Sequence, residues 1–112
     1  MFGNLGKMAG LLGSLGQMNE KMEAMAERLK HARFIGEAGA GQAKATVDGR
    51  GDLLKLEYDP ALVKSGDTEL LQELACAAVR DAMVRSREAL QKELATLTGG
   101  LEIPGLAGLI GG

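Results

Sequence analysis

Residues 34–58 read FIGEAGAGQAKATVDGRGDLLKLEY, and the fold turns on how this stretch is read. Ala43, Ala45 and Val47 alternate with Gln42, Lys44 and Thr46, the pattern of a half-buried strand with small residues on its inner face. Leu54, Leu56 and Tyr58 alternate in the same way with Lys55 and Glu57. Between the two, Asp48-Gly49-Arg50-Gly51 reads as a hairpin loop, because Asp-Gly pairs supply the positive φ angles that tight turns need. Phe34-Ile35-Gly36-Glu37 is a shorter strand ahead of them, and Gly39 with Gly41 marks the turn that follows it. The simplest assembly is a three-stranded antiparallel meander.

The flanks change period from two to three and a half. On the N-terminal side, residues 4–32 predict a helix. Leu5, Met8, Leu12, Leu15, Met22 and Leu29 recur within a seven-residue repeat, Asn19 and Ala26 are its weak positions, and Met18 and Met25 broaden the stripe. Glu20, Lys21, Glu23, Glu27, Arg28 and Lys30 lie off that stripe. Gly6, Gly10, Gly13 and Gly16 each cost up to ~1 kcal/mol against Ala, so the first turns should fray unless a partner holds them. On the C-terminal side Asp59-Pro60 ends the third strand, and Asp67 is a good N-cap for a helix to about Leu97. That helix has one apolar face made by Leu71, Leu74, Ala75, Ala78, Ala82 and Met83, continued by Leu90, Leu94 and Leu97. Gly99-Gly100 closes it, and residues 101–112, with Pro104 and four glycines, form a flexible tail. The expectation is an α+β chain with one domain over residues 1–100, ordered α-β-β-β-α.

Dimensions then argue for association. A helix of about 28 residues is ~42 Å long, whereas a six-residue strand spans only ~20 Å. One small sheet covers about half of either helix, yet each apolar stripe runs nearly end to end. The core is also poor in bulk, with no Trp, one Tyr, two Phe and six Met in 112 residues. A second copy is the expected cover, as a homodimer with helix ends projecting.

Chemistry-bearing groups are sparse. His31 and Cys76 are the only residues of their kinds and fall on different elements. Cys76 sits among Ala75, Ala77 and Ala78 and reads as a buried structural thiol, while His31 near a helix C-terminus is explained by the helix dipole. The run Gly36-Glu37-Ala38-Gly39-Ala40-Gly41 is no phosphate loop, since neither Gly-Lys-Ser/Thr nor a helix follows it. No catalysis, metal or cofactor is expected. A single cysteine and no apolar run of ~20 residues argue for a cytoplasmic protein with no membrane span.

The formal net charge of −2 gives no general pull toward nucleic acid. Residues 1–35 nevertheless carry five basic and three acidic side chains. Lys7, Lys21, Arg28, Lys30 and Arg33 on the first helix and its end, with Arg80, Arg85, Arg87 and Lys92 on the second, could line a groove between the arms of a dimer and meet phosphates. Against this, Asp81, Glu88 and Glu93 offset the second helix, and on charge alone a solvated helix face is the heavier reading.

The order of parts resembles the YbaB/EbfC family of bacterial nucleoid-associated proteins over nearly the whole chain. The residues that carry the resemblance are Met1-Phe2-Gly3, the Met-rich Gln17-Met18-Asn19-Glu20-Lys21-Met22 and the glycine-rich 36–41. Asp48-Gly49, Leu56-Glu57-Tyr58-Asp59-Pro60-Ala61-Leu62, Asp81-Ala82 and Gly99-Gly100-Leu101-Glu102-Ile103-Pro104-Gly105 complete the set. The resemblance implies a helix–three strands–helix protomer, a tweezer-like homodimer and DNA binding that organises the nucleoid, without catalysis or cofactor. Arg80 stands where the family pattern suggests an uncharged Asn, and the first helix has more glycine and less Lys and Gln than that pattern. Two functions remain open at this point. One is a homodimer binding double-stranded DNA with little sequence preference and contributing to nucleoid organisation and gene regulation. The other is a protein–protein adaptor in DNA repair or recombination, suited by near-neutral charge and adaptable methionine surfaces.

Overall fold

The computed structural model describes residues 2–98. Helix α1 (Phe2–His31) leads into strands β1 (Arg33–Ala38), β2 (Ala43–Asp48) and β3 (Leu53–Tyr58). A short helix α2 (Pro60–Lys64) and a long one, α3 (Thr68–Leu97), complete the chain. The sheet is an antiparallel meander in the order β1-β2-β3, as the alternation of residues 34–58 predicts. The Gly99-Gly100 helix stop and the tail of residues 101–112 lie outside the described residues.

Both helix starts follow from local chemistry. The Asp59 carboxylate accepts the Ala61 amide at 2.9 Å with Pro60 at the first helical position, and Asp67 accepts the Leu70 amide at 3.1 Å. The core lies where α3 crosses β1 and β2, and it is made of small side chains: Ala43, Ala45, Val47, Ala78 and Ala82. Smallness there is a requirement of distance. A Cβ on Gly36 would overlap the Ala78 carbonyl oxygen and the Ala82 amide nitrogen, so only glycine lets the helix backbone rest on β1. Val47 is the largest hydrophobic side chain that is completely buried. Phe34, Leu56, Tyr58, Leu74, Val79 and Met83 close around this centre while half-buried.

The hairpin between β2 and β3 works differently from the expected Asp-Gly turn. Positive φ falls on Gly51 rather than Gly49. Gly49 serves close approach instead: its amide donates to the Leu29 carbonyl of α1 at 2.8 Å, and a side chain would strike the Leu29 backbone. Asp48 is buried, and its carboxylate accepts the amides of Arg50 (2.8 Å) and Asp52 (3.1 Å) and the Arg50 guanidinium (3.2 Å). Its carbonyl takes the hydroxyl of buried Ser86 from α3 at 2.8 Å. One loop thus ties α1, β2 and α3 together. Beyond it Val47 pairs with Leu53 while Thr46 pairs with Lys55, so Leu54 is the extra residue of a bulge.

The molecule is long rather than round. Its radius of gyration is 20.5 Å, against about 13 Å for a compact chain of this length, and it extends 77 × 26 × 16 Å. Helices α1 and α3 run antiparallel and overlap only near their C-terminal ends, where Arg28 meets Glu93. Each continues away from the other. On α1 the expected stripe is covered at one end: Met25 and Leu29 are buried, and the same face continues through Met22, Met18 and Leu15, all exposed. Cys76 is exposed, not buried as its alanine-rich surroundings suggested. Two residues from Ala78 is a rotation of ~200° on a helix, which carries its thiol off the core face.

Two outcomes test this packing. Gly36→Ala should cost about 3 kcal/mol or more, because backbone on both sides cannot yield. Gly13→Ala, on open helix with nothing within 4 Å, should instead stabilise by up to about 1 kcal/mol; urea unfolding at pH 7 measures both. The Asp48 carboxyl supplies a pH test. Burial pushes its pKa up, but the Asp52 and Arg50 amides and the Arg50 guanidinium outweigh this and hold it below the ordinary 3.8. A depressed carboxyl pKa contributes stability that is complete above the unfolded value and is lost as pH falls through the folded one. The urea midpoint should therefore fall between about pH 5 and pH 2, and Asp48→Asn should start lower at neutral pH with a flatter acid limb. An acid limb as steep as the parent's would remove Asp48 from this role.

Candidate nucleic-acid interface

The crossing of α1 and α3 forms a shallow cleft on one side of the sheet. Lys21, Met25 and Arg28 of α1 face Glu93, Thr96 and Leu97 of α3 across it. Lys92 lines the adjoining part, with Leu29, Ala32, Phe34 and Ala89 as its apolar floor. Arg28 grips Glu93 with both ends of its guanidinium, Nη2 at 2.7 Å and Nε at 3.4 Å. The hydrogen bond from Arg28 holds the Glu93 carboxyl below its usual range, and Glu93 in turn raises Arg28. Glu93 is the cleft's acidic group and is already engaged, which leaves Lys21 and Lys92 unopposed at the rim. Neither has an ion-pair partner among the described residues.

The nine cations expected from the sequence therefore do not form one groove. The structure brings Lys21, Arg28 and Lys92 together at the cleft. Arg33 is used locally: its guanidinium donates to the Lys30 and Ala32 carbonyls at 3.0 and 2.9 Å, satisfying oxygens that the end of α1 leaves open. Lys30 lies beside it on the last turn, where His31 pairs with Glu27 at 2.9 Å. Arg85 sits 3.5 Å from Asp81, which also accepts the Glu37 amide of β1. Arg80 and Arg87 are exposed, seven residues apart on α3 and without a partner among the described residues. Two turns of helix stack them ~10 Å apart on the same side, turned away from Ala78 and Ala82. The side chain of Lys7 lies outside those described.

Two sets of charges have local explanations that the sequence did not disclose. Lys44 with Glu37 (3.7 Å) and Lys55 with Glu57 (2.8 Å) form a ladder of alternating sign on the sheet face opposite α3. Arg50, absent from the expected set, is taken up by Asp48 and Asp52. Cross-strand order could have signalled the ladder, since Glu37, Lys44 and Glu57 share one register line. Nothing local signals that Arg28 meets a carboxylate 65 residues away.

No group of three or more His, Cys, Asp or Glu side chains placed to hold a metal occurs among the described residues. No helix among them is long and apolar enough to cross a membrane. Two long helices flank a small meander, and Lys21, Arg28 and Lys92 lie where the helices cross. The chain belongs to the YbaB/EbfC DNA-binding family, whose pattern it matches over residues 4–101. It is 40% identical over 90 residues to a nucleoid-associated protein of Thermoanaerobacter sp., covering 80% of this chain and 81% of that one. To a nucleoid-associated protein of Granulibacter bethesdensis it is 38% identical over 97 residues, 87% and 91% of the two chains. The crystal structure of an uncharacterized Helicobacter pylori protein superposes with a TM-score of 0.68 at 27% identity, over 80% of this chain and 94% of that one. The α+β helix–meander–helix fold is shared, and the family is one of DNA-binding proteins.

Proposed function

We propose that this protein binds double-stranded DNA as a homodimer with little sequence preference, and that it contributes to nucleoid organisation and gene regulation in the cytoplasm. The observation that carries this reading is the rim of Lys21, Arg28 and Lys92 around the helix crossing, with its carboxylate occupied by Arg28. Lysine and arginine at such a rim neutralise phosphates regardless of the bases between them. Arg28 holds Glu93 through Nε and Nη2, which leaves its Nη1 to meet a phosphate oxygen while the carboxylate stays engaged.

Dimer formation is supported by what α3 leaves uncovered. The helix lies over β1 and β2 and barely touches β3. Leu56 and Tyr58 are only half-buried in consequence, and Leu53 and Leu54 are exposed beside them. Three strands make a face ~14 Å across, wider than the ~10 Å of one helix. A second protomer placed over β3 would complete that layer and present two rims to one duplex.

Fluorescence anisotropy of a labelled duplex over a salt series tests the assignment. Three cations per protomer in a dimer predict a slope of log affinity against log salt near roughly −5, at ~0.9 per phosphate neutralised. Lys21→Gln with Lys92→Gln should weaken binding to all duplexes alike and bring the slope to roughly −2. Arg80→Gln with Arg87→Gln should leave it close to the parent value. The reverse pattern, loss with the Arg80 and Arg87 pair and none with the lysines, would move the interface to the outer face of α3.

A further inference from the structure

Helix α3 carries a ridge turned away from the sheet, opposite Ala78 and Ala82. Its charges are sorted by position, with Glu69 and Glu73 toward the N-terminal end and Arg80 and Arg87 further on. All four are exposed, and none has an ion-pair partner among the described residues. The ridge cannot neutralise itself. Three and four residues from either arginine stand Cys76, Ala77, Met83, Val84, Leu90 and Gln91, with no carboxylate among them. Glu69 and Glu73 are like charges one turn apart, with no basic neighbour at those spacings. The helix dipole accounts for Glu69 in the first turn but not for the other three. Along one flank of the same ridge, Leu70 and Val84 are 37% and 42% exposed, with Ala77 midway between them.

This arrangement is complementary to itself about Ala77. Leu70 and Val84 stand seven residues to either side of it. Glu73 stands four residues before it and Arg80 three after, while Glu69 is eight before and Arg87 ten after. We propose that α3 pairs through this ridge with α3 of a second copy, antiparallel, about a two-fold axis at Ala77. At ~1.5 Å per residue, Glu73 then lies within ~1.5 Å of the level of Arg80 on the other copy, and Glu69 within ~3 Å of the level of Arg87. Leu70 meets Val84 at the same height, and Ala77 meets its own counterpart, where a small side chain lets the helix axes approach to about 8 Å. A parallel pair in register would set like charges against each other, so the charges select the antiparallel orientation. The contact uses neither the cations assigned to DNA, Lys21, Arg28 and Lys92, nor Leu53 and Leu54 on β3. It therefore stands apart from both, and a chain with two different two-fold faces assembles beyond a dimer. Exposed ion pairs hold weakly and are screened by salt, so the pairing forms at low ionic strength or where chains are crowded together.

Cys76, the chain's one cysteine, is exposed beside the axis and reports on the contact unaided. With the helices about 8 Å apart, the two Cys76 Cα atoms fall roughly 5–6 Å apart, within the span of a disulfide. Mild oxidation of the full chain at low salt should join two copies through Cys76, about tenfold faster than at high salt. Glu73→Arg should slow this joining by about tenfold, and adding Arg80→Glu to the same chain should restore it, because the reversed pair is complementary again. Both positions are exposed, and unchanged urea midpoints check that the variants fold. Joining at one rate whatever the salt and the charges would be chance collision of exposed thiols and would overturn the proposal. A rate per chain that does not rise with protein concentration would overturn it too, by placing both thiols inside the dimer over β3.

Discussion

The fold depends on how closely the backbone of α3 rests on β1. Gly36 provides the room and Ala78 and Ala82 provide the matching low surface, so helix and strand touch almost without side chains between them. Close contact of this kind gives dispersion and exact placement but little buried apolar area per residue. Ala43, Ala45 and Val47 complete a centre whose residues are individually small. The polar clasp from Ser86 to the Asp48 carbonyl extends the same contact, and the Gly49 amide carries it on to Leu29 of α1.

A core so shallow has consequences for shape. The helix that lies tightly on β1 and β2 barely touches β3, and the two long helices overlap only near where Arg28 meets Glu93. What results is a 77 Å rod with a small sheet at its middle. The geometry collects cations where the helices cross and spends others on local work, Arg33 at a helix end and Arg50 in a turn. With a net charge of −2, this local sorting of charge matters more for a phosphate ligand than the total does.

Much of this was legible in the sequence wherever a residue's environment is set by its neighbours along the chain. Alternation at 43–47 and 54–58 gave the strands, and Asp67 marked the start of α3 to the residue. What escaped depends on contacts remote in sequence. The heptad reading of α1 placed Met25 and Leu29 on its apolar stripe but could not tell that burial stops there among the described side chains, because only the last turns of α1 meet the rest of the protein. Cys76 was placed inside by its alanine neighbours, though on a helix the neighbours two residues away face elsewhere. Ser86 looked like any surface serine until its partner, the Asp48 carbonyl, came from another element. For the candidate site, the surroundings of each cation were not readable: Arg28 meets Glu93, Arg85 lies beside Asp81, and Arg33 turns back onto the carbonyls at the end of α1.

The sheet is wider than α3, and β3 is left half covered within the described residues. Sedimentation equilibrium at micromolar concentration tests directly whether a second copy covers it, in moderate salt and without nucleic acid. If the proposed dimer forms, a single species of twice the 11.7 kDa chain mass is expected, with Leu53→Asp shifting it toward monomer. A parent protein that sediments as a folded monomer across that range would contradict it.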